Sequence, residues 1–171
     1  MSEYRELPIE RISEYKDPIT LFKEDGVTFV EKGEGFNPMT IGWGGLGILW
    51  NRPCCTVYIH ASRYSKTLFD KSDHFTICFF GKEHRDLIQY FGKASGRDED
   101  KCLKSGIHMI KDGPYGYPEE AELVILCEKI GQSDFDVTKV GPKEVKSWYE
   151  KDGVHTIYQG RIFKLLWKKN D

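Results

Sequence analysis

Cys55, Val57, Ile59 and Ala61 alternate with Thr56, Tyr58 and His60, the period of two that a half-buried strand requires. Around this run the chain reads as an ordered series from Asn37 to Phe80. A strand ends at Thr40-Ile41, and a glycine-rich turn follows at Gly42-Trp43-Gly44-Gly45-Leu46-Gly47. Then come the alternating strand, a short helix and a strand over Phe75–Phe80. Asn51-Arg52-Pro53 marks a turn, because Pro53 denies a helix its continuation. Ser62-Arg63-Tyr64-Ser65-Lys66 closes the alternating strand and opens a short helix through Leu68 and Phe69.

Upstream, Pro8 and Pro18 interrupt a polar stretch. Ile9 and Ile12 predict one helical turn, and Ile19-Thr20-Leu21-Phe22 a short strand. Asp25-Gly26 signals a turn, and Val27-Thr28-Phe29-Val30 reads as a strand heading into Gly33-Glu34-Gly35. Downstream, Leu87, Ile88, Tyr90 and Phe91 share one face of a helix that starts near Glu83-His84 and ends at Gly92. Residues 93–98 form a polar turn, and 99–104 another short helix. Gly113-Pro114-Tyr115-Gly116-Tyr117-Pro118 predicts an irregular loop. Leu123-Val124-Ile125-Leu126-Cys127 predicts a strand, Glu144–Tyr149 a helical turn, and His155–Trp167 a long closing strand with Ile157, Phe163, Leu165 and Trp167 on one face. Short strands outnumber helices, so the expected fold is mainly β, a barrel with a few peripheral helices and one domain over 1–171.

Composition narrows the partners more than the fold. At 171 residues the chain is long enough for a core without metal or disulfide staples. A net charge of −2 predicts no general attraction to nucleic acid or anionic membrane. Its apolar runs are too short to span a bilayer, and the N-terminus lacks the apolar region of a signal peptide. Five cysteines without a C-x-x-C pair predict free thiols in a reducing cytoplasm. For adjacent Cys54 and Cys55, strand packing is the expected role. No His/Cys/Asp/Glu spacing matches a metal site.

Gly42, Gly44 and Gly47 satisfy G-x-G-x-x-G, the dinucleotide-binding fingerprint, but that motif needs a helix directly behind it. Ile48-Leu49-Trp50 runs instead into Asn51 and Pro53, and no acidic residue lies between Gly47 and Leu68. The fingerprint is therefore rejected. The Ser62–Lys66 segment is more informative, since hydroxyls, an Arg and a Lys at a helix start suit an anion. Ser62 lacks the His–acid company that activates a hydroxyl nucleophile, which argues against a hydrolase. Trp43 and Trp50 read as core aromatics on residue type alone, and His60 as a structural or solvated histidine on the polar strand face.

Taken in order, Asn37-Pro38-Met39-Thr40-Ile41-Gly42-Trp43-Gly44, Val57-x-Ile59-x-x-Ser62-Arg63-Tyr64-Ser65, Phe75-Thr76 and Gly92-x-x-Ser95-Gly96-Arg97-Asp98-x-Asp100-Lys101 carry a family likeness. The chain resembles the flavin-reductase-like proteins with an FMN-binding split β-barrel, and among them the flavoredoxin branch. This resemblance implies a homodimer with one noncovalent FMN per subunit near the interface. It implies that Asn37, Met39, Thr40, Gly42 and Trp43 lie along the isoalloxazine ring. Ser62, Arg63, Tyr64, Ser65 and Lys66 would surround the ribityl phosphate, and Lys93, Ser95, Gly96, Asp98 and Lys101 would complete the site. It further implies an oxidoreductase passing electrons from NAD(P)H or a reduced donor protein through FMN to an acceptor. The alternative is an FMN electron carrier without nicotinamide activity, exchanging electrons with a ferredoxin-like partner. No side chain is singled out as a catalytic acid or base, because the cofactor supplies the reactivity in this class.

Overall fold

The computed structural model describes residues 3–24 and 26–168. In chain order the strands are β1 (Arg5–Leu7), β2 (Gly26–Lys32), β3 (Gly35–Ile41), β4 (Gly44–Leu49), β5 (Arg52–His60), β6 (His74–Phe79), β7 (Met109–Asp112), β8 (Tyr115–Pro118), β9 (Leu123–Asp134) and β10 (His155–Trp167). The helices are α1 (Ile12–Tyr15), α2 (Pro18–Lys23), α3 (Tyr64–Phe69), α4 (Arg85–Lys93), α5 (Lys101–Ser105) and α6 (Lys143–Ser147). An antiparallel sheet runs in the order β3-β2-β6-β9-β10-β5-β4, with β1 added on β10. β3 and β4 therefore lie at opposite edges, yet only Gly42 and Trp43 separate them in sequence. The steps from Ile41 to Gly44 reach at most about 11 Å, so the sheet has to curl until its edges nearly meet. No ladder joins β3 to β4, which leaves a split barrel with a seam.

Burial on both faces explains why β2, β6 and β9 read as continuous apolar runs. Ile41, Val57, Ile59, Phe75, Ile77, Ile125 and Tyr158 pack inside the curl. Val27, Phe29, Cys78, Val124 and Leu126 face outward beneath Ile88 and Phe91 of α4 and Tyr115 and Tyr117 of β8. Phe91 meets Phe29 edge-on at 6.1 Å, which seats α4 on the sheet. All five cysteines are free, and Cys54 and Cys55 are buried in β5. Among the described residues, no helix is long and apolar enough to cross a membrane.

Several expectations need correction. Residues 19–22 are helical, because Asp17 accepts a hydrogen bond from the Thr20 amide at 3.0 Å and Pro18 starts the helix. The run 113–118 is half of a hairpin, with Gly113 at φ 59° turning β7 into β8. Gly44–Leu49 is an edge strand, and the tight turn falls at Trp50 and Asn51, with φ of 50° and 59°. Gly92 lies within α4, which continues to Lys93. The Asp25 half of the turn signal lies outside the described residues. On β10 the inward positions are Thr156, Tyr158, Gly160 and Ile162 rather than the odd set. The register shift at Ile162/Lys164 then turns Phe163 out to half exposure and Leu165 in, whereas the shift at Gln159/Gly160 is taken up by an extra residue of β9.

Gly160 shows how tight the interior is. A Cβ there would lie 2.5 Å from Phe75 and 2.7 Å from the Cys127 Cβ, whereas at Gly45 it would meet nothing within 4 Å. Gly160→Ala is expected to cost about 1–3 kcal/mol in urea denaturation, the range for overpacking, with Gly45→Ala near neutral. Equal effects at the two positions would show that the closeness of β10 to Phe75 is not a constraint.

Candidate functional site

Two adjoining cavities lie beside the seam and share Met39 and Arg63 in their walls. The first, about 170 Å³, follows the seam from Met39 through Trp43 and is closed on the other side by Tyr58, Ile59, His60 and His155. The second, about 160 Å³, lies between the start of α3 and the 93–97 turn; Ser62, Tyr64, Ser65 and Lys101 also line it. Strand pairing sets the far wall of the seam cavity, since His155 of β10 sits directly opposite His60 of β5. The near wall is the β3–β4 link itself.

Cations gather at the second cavity without carboxylates to match. Arg63 caps the start of α3 and is half-buried; its Nη2 donates to the Gly92 carbonyl at 2.8 Å and its Nε points at the Met39 sulfur at 3.4 Å. Lys101 is 3% exposed, and its ammonium donates to the Phe91 and Ala94 carbonyls at 3.1 and 3.3 Å. Both groups thus stand at the C-terminal end of α4, where the helix dipole favours positive charge. Lys32 donates to the Gly96 carbonyl at 2.6 Å, and Arg97 to the Ser62 carbonyl at 3.3 Å. Lys32 and Arg97 also stand over the Tyr64 ring, at 5.2 and 5.4 Å. Lys93 adds a further amine to the lining. Among the described residues none of these cations forms an ion pair with a carboxylate. Burial, and then the Arg63 charge, push the Lys101 ammonium down to about 8; burial also lowers Arg63.

The backbone here is built around absent side chains. A Cβ on Gly96 would lie 2.0 Å from Asn37 Oδ1 and 2.9 Å from the Tyr64 ring, so the turn passes directly over both. Asn37 donates to the Ser65 hydroxyl at 2.9 Å beneath the cavity floor, tying β3 to α3. The Thr40 hydroxyl is spent on the Ile88 carbonyl of α4, which leaves its backbone toward the seam.

The sequence candidates divide accordingly. Thr40, Gly42 and Trp43 line the seam cavity; Ser62, Tyr64, Ser65, Lys93, Ser95, Gly96 and Lys101 line the cationic one; Met39 and Arg63 belong to both. Asn37 is buried below rather than in the wall. Asp98 is exposed outside both linings, and Lys66 is turned away into an ion pair with Asp70 at 2.8 Å. Trp43 and Trp50 are not core residues, being 50% and 67% exposed. His60 does reach the cavity, and it stands beside Ser62, with Nδ1 2.8 Å from the hydroxyl. Its other nitrogen meets the Gly153 carbonyl at 3.1 Å, so no acid completes a nucleophile's base. Arg97, within the turn expected to complete the site, lines the cationic cavity, and Tyr58 and His155 join the walls unforeseen; the signal for His155 was its register opposite His60, which only strand pairing reveals. Burial, and then proximity to His60, hold the His155 imidazolium down to about 4, so the ring is neutral at pH 7.

A larger hollow of about 360 Å³ lies beside β8, lined by His74, Asp112, Glu128, Arg161 and Phe163. Its charges are compensated in place, Arg161 by Glu128 at 3.3 Å and Asp112 by Lys164 at 3.7 Å. The smaller pair with unmatched cations is the better ligand site.

Comparison with known proteins agrees with this fold. The chain superposes on flavoredoxin from Methanosarcina acetivorans with a TM-score of 0.66 at 16% identity, covering 82% of this chain and 66% of that one. Flavoredoxin of Desulfovibrio vulgaris (Miyazaki F) gives 0.65 at 18% identity, covering 86% and 69%. An FMN-binding protein from Thermus thermophilus, solved with bound 1-cyclohex-2-enone, gives 0.65 at 21% identity, covering 96% and 79%. No curated protein matches the sequence significantly. At these identities the superpositions speak for the fold alone. The flavin reductase like domain matches residues 26–171, most of the chain and all of both cavities, and the protein belongs to that family.

Proposed function

We propose that this protein binds FMN and passes electrons through it from NAD(P)H or a reduced donor protein to an acceptor. The observation that carries this reading is the set of cations around the second cavity, unmatched by carboxylates and continuous with an aromatic-walled cavity through Met39 and Arg63. A ligand with a doubly charged head and a flat ring fits both halves. Lys101 and Arg63 already give hydrogen bonds to α4 carbonyls and retain further N–H groups for phosphate oxygens. Ser62, Ser65 and Ser95 add hydroxyls beside them. Trp43, Tyr58 and the Met39 sulfur offer apolar surface to the ring, and the β3–β4 backbone offers its edge. When bound, the flavin supplies the hydride and electron chemistry, and the chain positions it, excludes water and sets its polar surroundings. The flavin reductase like family and the FMN-binding protein of like fold support the reading.

As the resemblance implied, we propose that two copies of the chain assemble. The edge strand β4 carries Ile48, 71% exposed, next to Trp50, and pairing of two such faces would cover both. Light scattering is expected to report a dimer at micromolar concentration; a stable monomer with full flavin occupancy would refute it.

Affinity for FMN relative to riboflavin isolates the phosphate. Arg63→Ala and Lys101→Met are each expected to lower that ratio about ten- to a hundredfold, as for a lost hydrogen bond to a charged group. The ratio matters because both residues also hold the end of α4, so either variant is expected to lose some stability as well. With the Lys101 proton leaving near pH 8, FMN affinity is expected to fall as pH rises through 8, while riboflavin affinity stays level. By the same linkage the apoprotein gains stability between pH 8 and the ordinary lysine value of 10.5, where the unfolded chain still holds the proton. Equal affinities for FMN and riboflavin in the wild type would remove the phosphate assignment.

Anaerobic addition of NADH or NADPH tests the donor. Rapid bleaching of the flavin is the expected result. Bleaching only with a reduced ferredoxin-like protein would instead assign the chain as an electron carrier.

A further inference from the structure

The stretch 136–154 between β9 and β10 buries none of its residues, so no core of its own fixes its place. Its aromatic side chains reach instead to the wall of the seam cavity. Trp148 stacks on Trp43, with centroids 5.8 Å apart and planes at 22°. Tyr149 lies nearly parallel to His60 at 6.5 Å and to Phe135 at 6.4 Å, and its hydroxyl is 3.0 Å from His155 Nδ1. Together these make a strap whose anchors are cavity-wall residues.

The Tyr149–His155 contact has a favoured polarity. A phenol is the better donor and a neutral imidazole nitrogen the better acceptor, so the favoured arrangement turns the Tyr149 proton toward His155 Nδ1, 3.0 Å away. That places the imidazole's own proton on Nε2, which has no partner among the described residues. His60 shows the same arrangement by independent contacts. Its Nδ1 accepts from the Ser62 amide at 3.2 Å, and its Nε2 donates to the Gly153 carbonyl. Of the two histidines, His155 is the one left with an uncommitted N–H in the cavity wall.

We propose that Tyr149 is a positioning residue that holds His155 as its Nε2–H tautomer, so that the seam cavity presents a hydrogen-bond donor and selects planar ligands with a carbonyl oxygen at that point. The proposal rests on the flavin reading above, since the flavin ring carries carbonyls on one edge. An acceptor in the wall would disfavour that edge; a donor favours it.

Tyr149→Phe keeps the ring against His60 and Phe135 and removes only the hydroxyl. Nitrogen-15 NMR of the His155 ring at pH 7 is expected to show a single tautomer protonated at Nε2 in the wild type, and a mixture in Tyr149→Phe. Lumiflavin, which lacks the ribityl phosphate, probes the seam cavity alone. Its dissociation constant is expected to rise about three- to tenfold in Tyr149→Phe, the range for a neutral hydrogen bond, with affinity for inorganic phosphate unchanged. An Nδ1–H tautomer in the wild type, or lumiflavin affinity that the substitution does not move, would overturn the proposal. Should the wild type bind neither FMN nor lumiflavin, the flavin reading falls and ligand selection with it; the tautomer measurement then decides by itself whether Tyr149 sets His155.

Discussion

A link of two residues between opposite edges of one sheet is the constraint from which the rest follows. Gly42 and Trp43 cannot span an open seven-strand path, so the sheet rolls up and its edges come within reach of each other. Because β3 and β4 do not pair, the roll stays open at the junction, and the seam cavity lies there between the end of β3, the link and the facing ends of β5 and β10. Most of its wall belongs to strands that the inner core already fixes, and the two-residue link and Arg63 complete it.

The second cavity depends on the end of one helix. The carbonyls of Phe91, Gly92 and Ala94 receive the charge of Lys101 and Arg63, which lets two cations stay half-buried or deeper without a carboxylate beside them. Carbonyl dipoles moderate a charge without cancelling it, so a net positive field survives in the cavity. A carboxylate partner would have left none. Phe91, which seats the same helix on Phe29, thereby ties the electrostatics of the site to the packing of the outer core.

Legibility in the sequence followed how local each signal was. The β5 alternation from Cys55 to Ile59 was readable because one face is buried and the other half-exposed, and the Ser62–Lys66 start of α3 because turn chemistry is local. Ile19–Phe22 misled because its apolar residues suit either structure, and the deciding signal was the cap at Asp17-Pro18 just before them. The β10 face was misassigned because a bulge at Phe163 reverses its parity partway along, and a bulge leaves no mark in an alternation. Beside the seam, the contiguous segments Met39–Trp43 and Ser62–Ser65 were legible as neighbours, and both line the cavities. His155 and Tyr149 were not legible, since their proximity to His60 is created by pairing across nearly a hundred residues. Asp98 and Lys66 stand outside both linings for the opposite reason: sequence neighbourhood does not fix the direction of an exposed side chain.

The strap from 136 to 154 has one consequence for how such a chain can change over time. With no residue committed to the core, its length and composition are free of the packing rules that hold the barrel, while its two aromatic anchors touch Trp43 and His155 in the wall of the seam cavity. Changes of length or composition there reshape the wall of the seam cavity while leaving every buried residue of the barrel in place.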